Sequence, residues 1–472
     1  MNDAPMMRRP ATPRGWMMLL FATLLLMPVS AHAHIELEDS SPGPDEVLAT
    51  LPSHLRLLFS ARIEGRYTSV TLTAPDGRSV ALGDVVFTSG SDREIRLRLP
   101  SLTQPPGTYV VRWRTAGADG HVLEGSYSFV LASDSAALAP VQDTAAGSAP
   151  GAAAMGPAAD DPHGHHAEAE PVSGAQDAIG RGLHFVALLL LLGGVTFRVV
   201  LLPRLALASA TAGVLQRRTW RVIAGAAVLL AVAAVLRLWF QSISLHGSER
   251  AWSTELLSIM LTDTSWGRAW LLQAVLFALL GMAIAWARPG RDRAAAVIAI
   301  IAVLGLATIP ALSGHAAGAS GLGRLIIVND ALHVAGAGAW LGTLAVLMLA
   351  AIPAILRIEA DGAGAAARAI DTFSPLALAG GAIVMLSGVI NAVAHLSALS
   401  QLWTTGYGRV LLVKLLFVGG VAVAGFVNWR MVRPRLRAAG GVRRLRLAAG
   451  TELLFAVLVL TATAVLTGQQ RP

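Results

Sequence analysis

Cysteine is absent from this 472-residue sequence. Disulfide bonds, Cys-ligated zinc and thiolate copper centres are therefore excluded, and a bound metal would need imidazole, carboxylate or amine ligands. Charged residues are also scarce, at 14%, whereas hydrophobic residues make up 54% of the chain. This balance excludes a wholly soluble or intrinsically disordered protein, in which apolar residues are less frequent.

The formal net charge of +8 does not indicate a nucleic-acid-binding surface. Such a surface requires basic residues clustered on one soluble face, but the arginines here fall mainly between apolar segments, and Lys414 is the only lysine. The sequence also contains no recognisable nucleotide-binding loop. We therefore expect neither nucleic acid nor nucleotide as a partner, and we predict no catalytic residues and no enzyme.

Residues 1–33 have the pattern of a signal peptide. Arginines precede an apolar run that is too short to span a bilayer comfortably, and Ala31-His32-Ala33 is a typical small-x-small cleavage site. Cleavage after Ala33 would make His34 the new N-terminal residue. The sequence thus predicts an exported N-terminal region.

Residues 34–131 are predicted to form a small all-β domain. Short strand-like runs at 55–59, 68–73, 94–99, 108–114 and 125–131 are separated by turn signals. In the fourth run, alternation places Tyr109, Val111 and Trp113 on one face, and Arg112 and Arg114 on the other. This pattern favours a β-sandwich or barrel.

Residues 132–174 are rich in Ala, Gly, Pro and Ser, which predicts a flexible linker. Within it, His163, His165 and His166 lie beside acidic residues. A short His-rich tract can bind divalent metal loosely, although the same residues are equally compatible with a solvated linker.

The remainder, 175–472, is predicted to be an all-α polytopic membrane domain. Eight apolar segments, each long enough to cross a bilayer, lie near 179–203, 219–243, 268–287, 294–312, 326–352, 375–397, 409–429 and 449–467. If the exported domain places the start of the first segment outside, sixteen arginines fall on the cytoplasmic side and six on the outer side. This asymmetry agrees with the positive-inside rule and indicates a multi-pass protein of the bacterial inner membrane, with its N-terminal domain in the periplasm.

The histidines of the membrane half have the opposite distribution. In this topology all five lie in outer loops or in the outer third of a span; they are His184, His246, His315, His333 and His395. Asp330 lies three residues before His333, and Asn391 four residues before His395, so each pair shares a helix face. These seven residues are candidate metal relay or transport ligands, although each pair alone is equally compatible with a hydrogen-bonded helix end.

His34, Asp119 and His121 are the candidate metal ligands of the β domain. An N-terminal histidine offers both its free amine and its imidazole, and Gly120 allows Asp119 and His121 to point to one side. An amine, two imidazoles and a carboxylate form a nitrogen-rich, tetragonal set that suits Cu(II) better than Zn(II). Copper is therefore the expected ligand, although the Asp-Gly-His segment by itself is also typical of an ordinary turn.

Two known families share these features. Residues 34–131 resemble the CopC family of periplasmic copper proteins, through the post-signal His34, Ser40-Ser41-Pro42, Leu55 to Ser60, Gly107-Thr108-Tyr109, Trp113 and Ala118 to His121. Residues 179–472 resemble the CopD family of copper-linked inner-membrane proteins, through Ser313 to Ala316, Leu332-His333, Trp340 to Gly342, Phe373 to Pro375, Ser387 to Ala392, Tyr407 to Arg409 and Leu412 to Lys414.

The resemblance covers nearly the whole mature chain, as in CopC–CopD fusions. It implies a Greek-key β-barrel, Cu(II) bound by His34, Asp119 and His121, and copper uptake across the membrane, with periplasmic copper carriers as candidate partners. The sequence departs from one CopC pattern: no Met occurs between His34 and Ala154, so we expect no Met-rich Cu(I) site.

Two other functions remain open from the sequence. Paired histidines on facing helices could ligate haem in a membrane redox protein that reduces copper, and a Soret absorbance band would favour this function. A copper sensor or buffer that moves no ion is the other alternative, and it predicts no flux into liposomes.

Overall fold

The computed structural model describes residues 37–60, 62–100, 105–117, 122–132, 174–287, 291–313, 323–396, 398–438 and 440–468. The described residues divide into two compact units. One contains the β strands together with 239–264, and the other contains 174–238 and the described residues from 265 onward. The predicted signal peptide, and the predicted linker apart from its ends, lie outside the described residues.

Nine described strands form the β domain. They are β1 Leu37–Ser41, β2 Val47–Leu48, β3 His54–Phe59, β4 Ile63–Thr73, β5 Ser79–Val80, β6 Val86–Phe87, β7 Glu94–Arg98, β8 Gly107–Gly117 and β9 Val122–Leu131. One sheet has the order β1-β3-β7-β6 and the other the order β2-β9-β8-β4-β5. All described pairings are antiparallel except β2 with β9. The prediction of an all-β domain is confirmed. Of the two predicted architectures, a sandwich or a barrel, the described strands form the sandwich.

The alternation of apolar residues explains the core of this sandwich. In β3, Leu55, Leu57 and Phe59 are fully buried, as expected for every second residue of a strand that faces the opposite sheet. In β8, Tyr109 and Val111 are also fully buried, and Trp113 packs against the same core. The prediction that Tyr109, Val111 and Trp113 lie on the core-facing side of this strand is therefore confirmed.

All five predicted strands are present, but sequence reasoning missed four others. Three of the missed strands, β2, β5 and β6, have two residues each, which is too short for an alternating pattern to be visible. The fourth, β1, pairs with β3 through a register shift between Leu37 and Asp39. An irregular strand of this kind does not maintain the two-residue period on which the prediction depends.

Glu94 of β7 gives the sandwich a predicted sensitivity to acid. Thr88 donates a hydrogen bond of 2.7 Å to Glu94 Oε1, and Arg96 approaches the same oxygen to 3.0 Å. These contacts hold the pKa of Glu94 below its usual 4.5. A lowered carboxyl pKa stabilises the fold above the unfolded-state pKa, and this stabilisation is lost as the pH falls through the folded-state pKa.

We therefore expect Glu94→Gln to lower the thermal unfolding midpoint of residues 34–132 near neutral pH and to weaken the loss of stability below about pH 4. Circular dichroism melts across this range would measure both effects. Glu38→Gln, which changes a more exposed carboxyl, is the control. An unchanged acid profile in Glu94→Gln would contradict the assignment.

Eight described helical segments are long and apolar enough to cross a membrane. In chain order, spans 1 to 8 are Gln176–Arg204, Ser209–His246, Ser265–Trp286, Asp292–Leu312, Arg324–Ile358, Gly362–His395, Gly406–Arg435 and Gly441–Leu466. The predicted number is confirmed, and the chain is a multi-pass membrane protein. Most spans extend beyond the predicted apolar core because helix formation continues into polar flanks that a hydropathy pattern does not detect. Two short helices, Thr254–Asp263 and Gln401–Thr404, lie outside the spans.

Span 5 is not a uniform α-helix. It contains the π-helical segments Gly338–Gly342 and Leu347–Ala351, and spans 1 and 7 contain Phe197–Leu201 and Asn428–Val432. Single π-helical turns often occur at functional sites because they change the direction of the side chains around them.

Glycines bring span 5 close to its neighbours. Gly342 lies directly against the Leu189 carbonyl and Gly193 of span 1, and Gly336 faces the Gly380 carbonyl of span 6. Small residues at such crossings allow two backbones to approach closely. Span 5 is therefore held between spans 1 and 6, and Gly336 in its N-terminal half lies next to span 6.

Candidate functional site

The structure leaves part of the predicted site undescribed. The predicted ligands outside the described residues are His34, Asp119, His121, His163, His165, His166 and His315. The described candidates are His184, His246, Asp330, His333, Asn391 and His395. Among the described residues, no group of three or more His, Asp or Glu side chains is arranged to bind a metal ion.

Strands β8 and β9 flank Asp119 and His121 in the sequence. Ala116 of β8 pairs with Val122 of β9, and β8 ends at Gly117, so four residues connect the two strands. Both candidate ligands belong to this short connection. Their imidazole and carboxylate groups, together with His34, form a donor set with the chemistry that Cu(II) prefers.

Beside this strand end, β4 contains a bulge. Glu64 pairs with Ala116, but the next paired residue is Ser69, opposite Arg114, so the bulge gives β4 extra residues at this point. Tyr67 lies within the bulge. Burial and the nearby Asp263 carboxylate raise the pKa of Tyr67 to about 12, so its phenol is neutral at physiological pH.

His246 faces this bulge within the same compact unit. Its ring centroid lies 5.6 Å from that of Tyr67, and its Nδ1 lies 3.1 Å from Ser242 Oγ. Ser242 already donates its hydroxyl proton to the Ala251 carbonyl over 2.6 Å, so Nδ1 of His246 must be the donor. Nε2 then carries the lone pair, and it is buried without a hydrogen-bond partner among the described residues.

Two further contacts join the segment 239–264 to the β strands. Arg114 of β8 donates to the Ser244 carbonyl over 2.8 Å, and Arg66 of the β4 bulge lies 3.3 Å from Asp263. Glu124 of β9 accepts a bond of 2.8 Å from the same Arg114 side chain. His246 is therefore held against the β4 bulge by neighbours on both sides in sequence.

A second polar group links the N-terminal half of span 5 to the C-terminal half of span 6. Asn329 donates to the Asn391 Oδ1 atom over 2.7 Å and to the Ser387 carbonyl over 3.0 Å. Asn391 in turn donates to Asp330 Oδ1 over 2.6 Å. Polar groups inside a membrane are costly unless partnered, and in this network they partner one another across two helices.

His333 belongs to the same group and is fixed in one orientation. Its Nδ1 lies 2.9 Å from Ser387 Oγ, whose hydroxyl already donates to the Ile383 carbonyl over 2.5 Å. The imidazole must therefore donate from Nδ1, which leaves the lone pair on Nε2. This is the arrangement of a metal-binding histidine, in which a partner at one nitrogen orients the other.

His395 also donates from Nδ1. That atom lies 2.5 Å from the Asn391 carbonyl oxygen, which can only accept. We define the membrane cluster as Asn329, Asp330, His333, Ser387, Asn391 and His395. Lys414 of span 7 acts electrostatically on both Asp330 and His333, which places its positive charge beside the cluster.

His184 of span 1 lies apart from the membrane cluster. Its side chain is only 2% exposed, and neither ring nitrogen has a hydrogen-bond partner among the described residues. Arg237 of span 2 is its charged neighbour. The structure thus brings four of the six described candidates together and places His184 and His246 elsewhere.

Sequence reasoning missed three residues that complete these sites. Asn329 bridges the two spans of the membrane cluster, and Ser387 and Ser242 orient His333 and His246. The Asn-Asp pair at 329–330 inside an apolar run was an available signal, and Ser387 begins a segment that resembles the CopD family. Ser242 gave no signal, because a serine four residues from a histidine is common in helices of every kind.

Comparison with known proteins supports three domain assignments. The CopC domain family matches residues 37–132, the copper resistance protein D-like N-terminal domain matches 177–325, and the copper resistance protein D family matches 367–466.

Individual known proteins are similar to this chain over different lengths. The copper transport protein CutJ of Bacillus subtilis is 25% identical over 462 residues, covering 97% of this chain and 78% of CutJ. Copper resistance protein C of Pseudomonas syringae pv. tomato is 30% identical over 114 residues, covering 23% of this chain and 90% of that protein. The crystal structure of CopC from Methylosinus trichosporium OB3b is 32% identical, covers 21% of this chain and 93% of its own, and gives a TM-score of 0.20.

The sandwich and the eight spans define a multi-pass membrane protein that carries a CopC domain. The chain belongs to the copper transport and resistance proteins in which CopC and CopD domains are fused in one polypeptide.

Proposed function

We propose that this protein captures Cu(II) in the periplasm and imports copper across the bacterial inner membrane. The β domain binds the ion through His34, Asp119 and His121 after signal-peptide cleavage. Outer-facing histidines of the membrane domain then receive it, and periplasmic copper carriers supply it.

The observation that carries this proposal is the orientation of two imidazoles. His246 and His333 each use Nδ1 as a donor, which leaves the lone pair of Nε2 for a metal. In both cases the serine that fixes this orientation is itself bonded to a backbone carbonyl. A histidine that only stabilises a helix end does not require such orientation.

The position of His246 supports a transfer step from the β domain. Its unpartnered Nε2 lies at the β4 bulge, next to the strand end that leads into Asp119 and His121. In the proposed route His246 takes the ion first and the membrane cluster second. The linker histidines His163, His165 and His166, together with His184 and His315, are further candidates for the relay.

The orientation of the membrane domain follows from its arginines. With the N-terminal domain outside, sixteen arginines lie on the cytoplasmic side and six on the outer side. The membrane cluster then lies at the outer ends of spans 5 and 6, where an ion arriving from the periplasm would enter. CutJ, which matches nearly the whole chain, bears the name of a copper transport protein.

Adding one glycine before His34 is expected to weaken Cu(II) binding by at least about 100-fold. The extra residue removes the free amine next to the His34 imidazole and so breaks the chelate formed by one residue. Isothermal titration of the mature protein, with N-terminal sequencing to confirm its first residue, would measure the affinity. The His121→Ala variant should lose affinity to a similar extent.

His54→Ala is the matched control, because His54 is an exposed imidazole of the same domain that bonds to its neighbour Ser53. Equal affinity for the native and glycine-extended proteins would rule out a site built on the terminal amine. Copper flux into liposomes containing the full-length protein separates transport from sensing, since a sensor would move no ion.

A further inference from the structure

Glu452 is a carboxyl group near the middle of a membrane span. It is the twelfth of the 26 residues of the helix Gly441–Leu466, and its side chain is only 3% exposed. An ionisable residue at this depth is costly and is by default a functional candidate. The copper route proposed above does not use it.

The two neighbours of Glu452 come from π-helical segments of two other spans. Trp340, in the segment Gly338–Gly342, donates from Nε1 to Glu452 Oε1 over 3.0 Å. Asn428, the first residue of the segment Asn428–Val432, is a second hydrogen-bond donor to the same carboxyl. Two separate distortions of the helical backbone therefore direct polar side chains at one acid.

Among the described residues, no ion pair includes Glu452, and only the hydrogen bonds of Trp340 and Asn428 act on its charge. Gly425 also lies close, since a Cβ added there would lie 3.5 Å from Oε1. A carboxyl buried without a cation is most stable in its protonated, neutral form.

One polar atom beside this carboxyl is unsatisfied. Asn428 Oδ1 is buried and has no hydrogen-bond partner among the described residues. An acceptor left open next to a carboxyl is suited to accept a hydrogen bond from the protonated acid, or from a water molecule that takes up its proton.

Glu452 is connected to the membrane cluster through span 5. Trp340 follows His333 by seven residues, which is two helical turns, so both lie on similar faces about 10 Å apart along the axis. At an effective dielectric constant of about 20, a unit charge about 10 Å away changes a proton-binding equilibrium roughly tenfold. A positive charge on copper at His333 would act on Glu452 in the direction that favours loss of its proton.

We propose that Glu452 is a proton-exchanging residue of the membrane domain, which holds a proton in the metal-free state and releases it when copper occupies the membrane cluster. The O–H bond of the carboxyl breaks, the proton passes to water on the cytoplasmic side, and the carboxylate remains bonded to Trp340 and Asn428. This inference rests on the proposed function and adds that copper entry is coupled to proton movement.

Infrared difference spectroscopy on the full-length protein in liposomes tests the proposal. Addition of Cu(II), or of Cu(I) under a reductant, is expected to remove a protonated-carboxyl C=O band in the wild type. The band should be absent from the difference spectrum of Glu452→Gln, which keeps an oxygen acceptor for Trp340 but cannot ionise. Glu249→Gln, which changes an exposed carboxyl, should retain the band.

Copper uptake is measured on the same vesicles. We expect Glu452→Gln to reduce it at least about tenfold and to abolish the accompanying proton release, as detected with a pH-sensitive dye. An unchanged infrared band, or wild-type uptake and proton release, in Glu452→Gln would overturn the proposal.

A second variant tests the proposal if Glu452→Gln does not fold. Trp340→Phe keeps the carboxyl but removes a donor, and should displace the pH midpoint of the C=O band; an unchanged midpoint would overturn the assignment. If the wild type takes up no copper, the proposed transport fails, and the response of the C=O band to copper still decides the role of Glu452.

Discussion

Cells that produce the His333→Ala variant are expected to accumulate about a tenth or less of the copper accumulated by wild-type cells. The substitution removes an imidazole whose Nε2 is available to the metal. It also removes the hydrogen bond that Ser387 Oγ accepts from this imidazole in the native protein. Loss of a metal ligand commonly costs more than loss of the residue that orients it, for which a 10- to 100-fold effect is typical.

The same reasoning gives a graded series. Ser387→Ala keeps the imidazole but frees its orientation, and we expect an intermediate loss of accumulation. Leu332→Ala is the control, because Leu332 precedes His333 but is 51% exposed. Copper content measured by mass spectrometry, at matched protein levels, would test the series, and wild-type accumulation in His333→Ala would remove this residue from the route.

Gly342→Ala is expected to prevent stable folding of the membrane domain. A Cβ atom at this position would overlap with the Leu189 carbonyl of span 1, and backbone atoms cannot move aside as a flexible side chain can. Overpacking in a well-packed core costs about 1–3 kcal/mol, and we expect the upper part of this range or more. Thermal unfolding of the detergent-purified protein would measure the change.

Gly225→Ala is the matched control for this effect. Gly225 lies within span 2, but a Cβ added there meets no atom within 4 Å. Alanine is favoured over glycine in a helix by about 1 kcal/mol, so this variant should be neutral or slightly more stable. Equal melting temperatures for Gly342→Ala and the wild type would show that spans 1 and 5 do not pack through this glycine.

The general form of both parts could be predicted from the sequence. The alternation of apolar and polar residues in 108–114 predicted a strand with one buried face. The structure confirms this prediction, because Tyr109 and Val111 are buried. Eight apolar runs indicated eight spans, and eight described helices qualify. Both predictions depend on local hydrophobic patterns, which are present in the chain before any long-range contact forms.

The membrane cluster could be predicted only in part. Spacing placed Asp330 with His333, and Asn391 with His395, on shared helix faces. It gave no information on which spans face each other, so the bonds from Asn329 to Asn391 and from Asn391 to Asp330 were not predicted. The burial of Glu452 against Trp340 and Asn428 likewise depends on contacts between spans that spacing along one helix does not show.

The sequence by itself determined the class of protein, its two architectures and the donor chemistry available to a metal, because composition, periodicity and the absence of cysteine are properties of the chain alone. Only the tertiary structure decided which ring nitrogen of His246 and of His333 donates a hydrogen bond, which helices share polar groups, and which side chains surround a buried carboxyl. These features depend on contacts between residues far apart in sequence, such as Trp340 and Glu452, and such contacts are set by how closely the spans can pack.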